Sequence, residues 1–319
     1  MKDVYKITFA GLTALTFPLA PATALAAECP AAYPDKPIEF HVGYGAGGGT
    51  DAIARAIASD FEQRQGWDIV VDNRPGAGGG VMSATLMTLP ADGYTIGVGA
   101  TGTVALNPYQ SADTPYTYES FKYLGTAMQI NYGLVSLVDK PFSTLEEFID
   151  YARENGSATI ATGGKSQEIL VDQLAKHYDV DLIAVPNKGA ADALQSALGS
   201  HVDATTQGTQ HVQQIKAGAM NQLASLVGNR VPYAPDSPTL IELGLDATIE
   251  GQTIFMVQKD VDPAILTCLE GALDEAVNSE AYAELMQRLE NEPMNLGAER
   301  TTEIIAKSAE FYKNYLAAE

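Results

Sequence analysis

From Pro37 onward, short runs rich in β-branched and aromatic residues alternate with stretches whose apolar positions recur every three or four residues. Ile38 to Val42 reads as a strand, Thr50 to Gln65 as a helix, Ile69 to Val71 as a strand, Gly80 to Leu89 as a helix and Tyr94 to Val98 as a strand again. This is a βαβαβ unit, and such units build a parallel sheet with helices on both faces. After Thr101 the rhythm breaks. A polar stretch with Tyr and Pro, Asn107 to Tyr118, leads into two apolar runs, Tyr123 to Gln129 and Tyr132 to Val138, which read as the crossing into a second domain.

A second alternation follows. Ser143 and Glu146 are spaced as a capping box for a helix that stops near Gly156. Then come strand Ala158 to Ala161, helix Ser166 to Tyr178, strand Leu182 to Val185, helix Ala190 to Leu198, strand Val202 to Thr206, helix Thr209 to Ala217 and strand Leu223 to Val227. Beyond a segment carrying Pro232, Pro235 and Pro238 lie a strand around Ile254 to Val257 and a helix with Asp262 as cap and Pro263 at its first position. Helical stretches Ala281 to Leu289 and Thr301 to Leu316 follow and are expected to cover the first domain. The expectation is an α/β protein of two lobes, 28–125 with 248–319 and 126–247, each a mainly parallel sheet flanked by helices. Crossing strands would leave a cleft between them, where small ligands bind.

The N-terminus sets the expected compartment. Lys2 and Lys6 precede an uncharged apolar run from Ile7 to Ala27, and Ala24-Leu25-Ala26 supplies a small-x-small cleavage pattern, so 1–27 reads as a secretory signal peptide and the mature chain as periplasmic. Pro18 and Pro21 interrupt the run, which argues against a retained anchor; Glu28 before Cys29 argues against lipidation. The formal net charge is −21, and cleavage makes it one unit more negative, which sets aside a nucleic-acid partner. The same charge repels an anionic ligand at long range, so any anion site must rely on local donors. The two cysteines, Cys29 and Cys268, either pair in an oxidising compartment or remain two free thiols.

The chemistry-bearing positions are the loops after the strands. Gly43-Tyr44-Gly45-Ala46-Gly47-Gly48-Gly49-Thr50-Asp51 joins the first strand to the first helix, and Arg74 to Gly80 does so at the second. In the other half Thr162-Gly163-Gly164-Lys165-Ser166, Asn187-Lys188-Gly189-Ala190 and Gln207-Gly208-Thr209 hold the corresponding places. Glycine lets backbone N–H groups approach a ligand, and a helix N-terminus adds unpaired donors and partial positive charge, so converging termini would hold a carboxylate. Lys165 reads either as a cation neutralised by a bound anion or as a solvated lysine; Tyr44 either stacks on a ligand or packs under its loop; Asp51 is expected to organise the loop. Gly43, Gly45 and Gly48 also fit G-x-G-x-x-G, with Asp72 ending the next strand, which keeps a secreted dinucleotide-binding oxidoreductase as an alternative. That reading leaves Gly76 to Gly80 unexplained. Thr159 stands where a phosphate loop needs its first glycine, and no G-x-S-x-G elbow occurs. His41, His177, His201 and His211 lack metal-ligand spacing, so no metal, cofactor or enzymatic activity is expected.

The segments YPDKPIEFHVGYGAGGGTDAIAR, VDNRPGAGGG and PADGYTIGVGATGTVALNP, followed by PFSTLEEFIDYAR, VPNKGAADALQSALGSHVDA and SPTLIELG, resemble the substrate-binding proteins of tripartite tricarboxylate transporters, the Bug-type receptors, over nearly the whole mature chain. The resemblance implies a two-lobed, type II-like periplasmic-binding-protein fold and a monomeric receptor that passes a carboxylate to a membrane permease. A receptor serving a sensor kinase is the variant with a different partner. It implies ligand contacts at Tyr44 to Asp51, Thr101 to Thr103, Gly163 to Ser166 and Lys188 to Ala190, with Gln207 added. Asn187 replaces the family's usual tyrosine, Gly43 its usual proline, and Gln252 to Phe255 lacks its common tryptophan. These departures bear on ligand choice, because side chains discriminate between acids that backbone donors treat alike.

Overall fold

The computed structural model describes residues 29–249 and 251–318; the expected signal peptide, 1–27, lies outside the described residues. In chain order the strands are β1 (Ile38–Val42), β2 (Ile69–Asn73), β3 (Thr95–Ala100), β4 (Phe121–Gln129), β5 (Gly133–Leu137), β6 (Ala158–Thr162), β7 (Leu182–Pro186), β8 (Ala204–Gln207), β9 (Met220–Ser225) and β10 (Gln252–Gln258). They form two five-stranded sheets of one plan, β2-β1-β3-β10-β4 and β7-β6-β8-β5-β9. Three strands run parallel in each, and the fourth position is filled by an antiparallel strand, β10 or β5. Each inserted strand has just crossed from the other sheet, so both sheets are mixed. The crossings lie together: Ile130 N–H donates to Gly251 O, and Leu226 N–H donates to Tyr132 O over 2.9 Å.

The first core follows from the sequence periodicity. Helix Gly49–Gln65 buries Ile53, Ala54, Ile57, Ala58 and Phe61, one stripe of a 3.6-residue repeat, and ends at Gly66 with φ 70°. Phe40 of β1 meets Phe61 at 5.7 Å and Phe255 of β10 at 5.9 Å, both edge-on. Each such phenylalanine, fully buried, contributes about 1.5–3 kcal/mol. The second core gathers Phe148, Ile149, Ile160, Leu174 and Leu223, and the Pro-rich segment adds Leu240, Ala247 and Ile249 to it. The C-terminal helix, Gly297–Ala317, returns to the first sheet, where Ile305, Ala309 and Tyr312 pack with Leu106, Tyr116, Tyr123 and Ile254.

Local differences from the sequence reading have local causes. Helix Leu145–Asn155 is capped by Thr144, not Ser143: Glu147 N–H donates to Thr144 Oγ1 (3.2 Å), and the Glu147 carboxylate accepts from Ser143 N–H (2.7 Å). The box is displaced by one residue because adjacent hydroxyls and adjacent acids both fit the spacing. Strand β9 begins at Met220, earlier than expected, since pairing with β5 supplies ladder partners for polar Asn221 and Gln222. The helix after β8 shortens to Val212–Lys216. Cys29 and Cys268 are disulfide-bonded with Cα atoms 4.8 Å apart, tying the segment before β1 to helix Pro263–Val277.

Candidate functional site

The loop after β1 is held from below by one carboxylate. Asp51, 3% exposed, accepts from Gly47 N–H (2.8 Å), from Asn73 Nδ2 (2.9 Å) and from Arg55 Nε (3.1 Å). Asn73 Nδ2 also donates to Tyr44 O (3.0 Å), so β2 and the first helix clamp the same turn. The Arg55 guanidinium, helped by Gly47 and Asn73 and opposed by burial, holds the Asp51 carboxyl down at about 2. A carboxyl depressed in the folded chain stabilises above its unfolded value of 3.8 and loses that contribution as pH falls through about 2. With solvent screening at the exposed Arg55 allowed for, Asp51→Asn is expected to cost about 1–2 kcal/mol at pH 6, and the difference should roughly halve by pH 3. Urea midpoints of both proteins across that range check it; a pH-independent gap would show that Asp51 acts by shape alone.

The second glycine turn forms the adjoining wall. Gly76, Gly78 and Gly79 have positive φ, and a Cβ on Gly79 would lie 2.8 Å from Thr103 Oγ1. Thr103 donates to Gly78 O (2.8 Å), the Tyr44 hydroxyl lies 3.2 Å from Thr103 Oγ1, and Asn107 Nδ2 donates to Ala77 O (2.8 Å). Tyr44 thus packs under its loop, its hydroxyl raised by burial. Gly43 is small for a steric reason, since a Cβ there would meet Gly79 Cα at 2.9 Å. Both glycine runs therefore belong to one backbone-to-backbone contact, which accounts for Gly76 to Gly80 without a dinucleotide. The Thr101 hydroxyl, just after β3, donates to Gln252 Oε1 of β10 (2.6 Å).

The second lobe repeats this contact. A Cβ on Gly163 would stand 2.8 Å from Ala190 N and 3.0 Å from Gly189 C. Gly163 N–H donates to the Gln167 side chain, whose oxygen also accepts from Thr206 Oγ1 (2.9 Å), and Gln207 Nε2 donates to Ala190 O (3.1 Å). Gln207 is fully buried, and its Oε1 has no hydrogen-bond partner among the described residues. Gly163, Gly164, Gly189, Ala190 and Gln207 are therefore brought together. Lys165 pairs with Glu168 at 3.7 Å in its own first turn, beside Ser166, and Lys188 is exposed on the rim.

Three of the glycine loops open helices that have no side-chain cap, a feature shared elsewhere by Gly80–Leu86, Val212–Lys216 and Gly297–Ala317. Helices Gly49–Gln65, Lys165–Tyr178 and Ala190–Leu198 start after Gly48, Gly164 and Gly189, none with a side chain to bond the first-turn N–H groups. Helices Leu145–Asn155, Pro263–Val277 and Glu280–Arg288 are capped by Thr144, Asp262 and Ser279. The first three leave donors and dipole free, while Gly45, Ala46, Gly47 and Gly48 are exposed. Tyr132, in the crossing, links the two sets: its ring packs on Gly251 and reaches Gly208, and burial, then the nearby Tyr44, pushes its hydroxyl up to about 12. Behind it His211 is fully buried, bonded to Gln222 (3.3 Å), and burial pushes its imidazole down to about 4, so it is neutral. Tyr132, Gln167 and Asn73 carried no local sequence signal; only the neighbouring glycine turns mark where such supports must lie. Among the described residues no group of three or more His, Cys, Asp or Glu is placed to hold a metal ion.

Two mixed α/β lobes with uncapped helix termini between crossing strands define the class, a two-lobed solute-binding receptor. Residues 53–316 match the model of the tripartite tricarboxylate transporter family receptor, and the chain belongs to that family. It is 27% identical over 311 residues to the "UPF0065 protein in gbd 5'region" of Cupriavidus necator, covering 97% of this chain and 95% of the relative. It is 27% identical to protein BugT of Bordetella pertussis over 79% of each chain. A TctC solute-binding protein from Polaromonas has the same fold with a TM-score of 0.81 at 26% identity, covering 90% of this chain and all (100%) of that one. Two Rhodopseudomonas palustris proteins share the fold: one solved with adipate (TM-score 0.75, 22% identity, 90% and 97% covered) and one with bound malate (0.72, 21%, 89% and 100%).

Proposed function

We propose that this protein is a non-catalytic periplasmic receptor, a monomer that closes two lobes on a small organic carboxylate and delivers it to the integral-membrane permease of a tripartite transporter. The carrying observation is that the glycines Gly48, Gly164 and Gly189, each in a loop after a strand, leave the N-termini of helices Gly49–Gln65, Lys165–Tyr178 and Ala190–Leu198 without a side-chain cap. Open first-turn N–H groups and the helix dipole suit an anion, and they act locally, as a chain of net charge −21 requires. Family membership and the adipate and malate in proteins of the same fold support a di- or tricarboxylate, with an aromatic acid the remaining candidate. The ligand would meet the Tyr44 to Asp51 loop, Thr101 and Thr103 from the lobe of 28–125 with 248–319. From the lobe of 126–247 it would meet Gly163 to Ser166, Lys188 to Ala190 and Gln207, over a floor formed by Tyr132.

Thermal unfolding of the mature protein against mono-, di-, tri- and aromatic carboxylates, with NAD included, tests the reading. A ligand at a hundredfold excess over its Kd stabilises by about 2.7 kcal/mol, and a selective rise in Tm with one class of acid is the expected result. A rise with NAD alone would return the Gly43 to Gly48 loop to the dinucleotide reading.

A further inference from the structure

Two contacts tie the lobes together away from the glycine loops. In the first, side chains of helix Lys165–Tyr178 meet side chains of the C-terminal helix. The Tyr315 hydroxyl donates to the Asp172 carboxylate, which also lies 2.6 Å from Lys176 Nζ, and Lys176 sits 5.4 Å over the Tyr315 ring. Ile169 of the same helix, 2% exposed, packs into the first lobe's cluster with Ile305, Ala309 and Tyr312.

In the second, the Glu290 carboxylate lies 2.6 Å from Lys216 Nζ and accepts from Gln213 Nε2, both in the second lobe. Glu290 follows helix Glu280–Arg288 with φ 57°, a left-handed position that glycine or asparagine ordinarily fills because a Cβ is crowded there. The chain accepts that strain at a residue whose carboxylate reaches across to the other lobe and is only 21% exposed.

From this geometry we infer that Glu290 and Tyr315 are positioning residues that hold the lobes in the closed arrangement and thereby set ligand affinity without touching the ligand. The inference rests on the lobe-closure reading above. A ligand that binds only the closed arrangement has an apparent Kd equal to the intrinsic one divided by the closed fraction, so each latch tightens binding by the amount it favours closure. Tyr315 also packs on the first lobe's core, so Tyr315→Phe removes the hydroxyl and keeps the ring, while Lys216 is 56% exposed and its replacement leaves either core untouched.

The test uses Lys216→Glu, Tyr315→Phe and the charge-swapped pair Lys216→Glu with Glu290→Lys. The readouts are the radius of gyration from small-angle scattering without ligand, and the Kd for adipate and for malate by calorimetry. The expected result is a larger radius and a Kd raised by about tenfold in Lys216→Glu and Tyr315→Phe, with the swapped pair returning toward wild type. Unchanged radius and unchanged Kd in both, or a swapped pair no better than Lys216→Glu, would overturn the latch. If neither acid binds, the receptor reading loses those ligands while scattering still decides: an expanded Lys216→Glu supports the latch, and equal radii sink it.

Discussion

Gly163→Ala is expected to lose more than tenfold in carboxylate affinity and about 1–3 kcal/mol in stability, the range for forcing extra volume into a packed contact. The added Cβ would stand 2.8 Å from Ala190 N and 3.0 Å from Ala190 Cα. Both neighbours are backbone, so no side-chain rotation relieves the clash and the two turns must part. Separating them moves the uncapped starts of helices Lys165–Tyr178 and Ala190–Leu198, whose donors would form half of the proposed site. Gly43→Ala should behave alike, since its Cβ would meet Gly79 Cα at 2.9 Å. Gly45→Ala is the folding control: nothing lies within 4 Å of its Cβ, and its stability should stay within about 0.5 kcal/mol of wild type. Urea midpoints with calorimetric titration read both quantities. A Gly163→Ala protein with wild-type midpoint and affinity would show that the turns are not set by this contact.

Replacing Cys29 and Cys268 together by alanine is expected to lower stability by about 3–5 kcal/mol, the largest single effect foreseen here. The bond joins residues 239 apart in sequence, and closing so long a loop removes much of the unfolded chain's freedom. In the folded chain the pairing is geometrically easy, with Cα atoms 4.8 Å apart and Cys268 buried on a helix of the first core. The segment after Cys29 is anchored besides: Tyr33 donates to Gly93 O (2.8 Å) and packs edge-on against Trp67 at 6.2 Å. Guanidinium unfolding of the double variant and of the reduced wild type should agree. A loss below about 1 kcal/mol in both would mean that these anchors already restrain the segment.

Much of the fold was legible because it is written in short-range patterns. The alternation in Ile38 to Val42, the cap at Asp262 before Pro263 and the helix Ala190–Leu198 needed only neighbouring residues to be read, and the structure places them where the pattern did. The displaced capping box at Thr144 shows the limit of the same method, since local chemistry offered two equivalent choices and the turn geometry selected one. The glycine loops were visible as candidate sites by composition alone. Which of their glycines are small for steric reasons was not visible, because Gly43 meets Gly79, and Gly163 meets Ala190, across a sheet edge.

The sequence by itself determined the elements, their order, the acidic field against which an anion must bind and the uncapped glycine starts that supply backbone donors. Tertiary structure alone decided which of those turns touch. The insertion of β10 between β3 and β4, and of β5 between β8 and β9, brings Tyr132 against Gly251 where the chain crosses between sheets, and the packing of distant turns recruits Gln167, Asn73 and Glu290. The physical reason is range: propensity and capping act over a few residues, whereas strand insertion and backbone-to-backbone contact depend on partners that meet only once both sheets have formed.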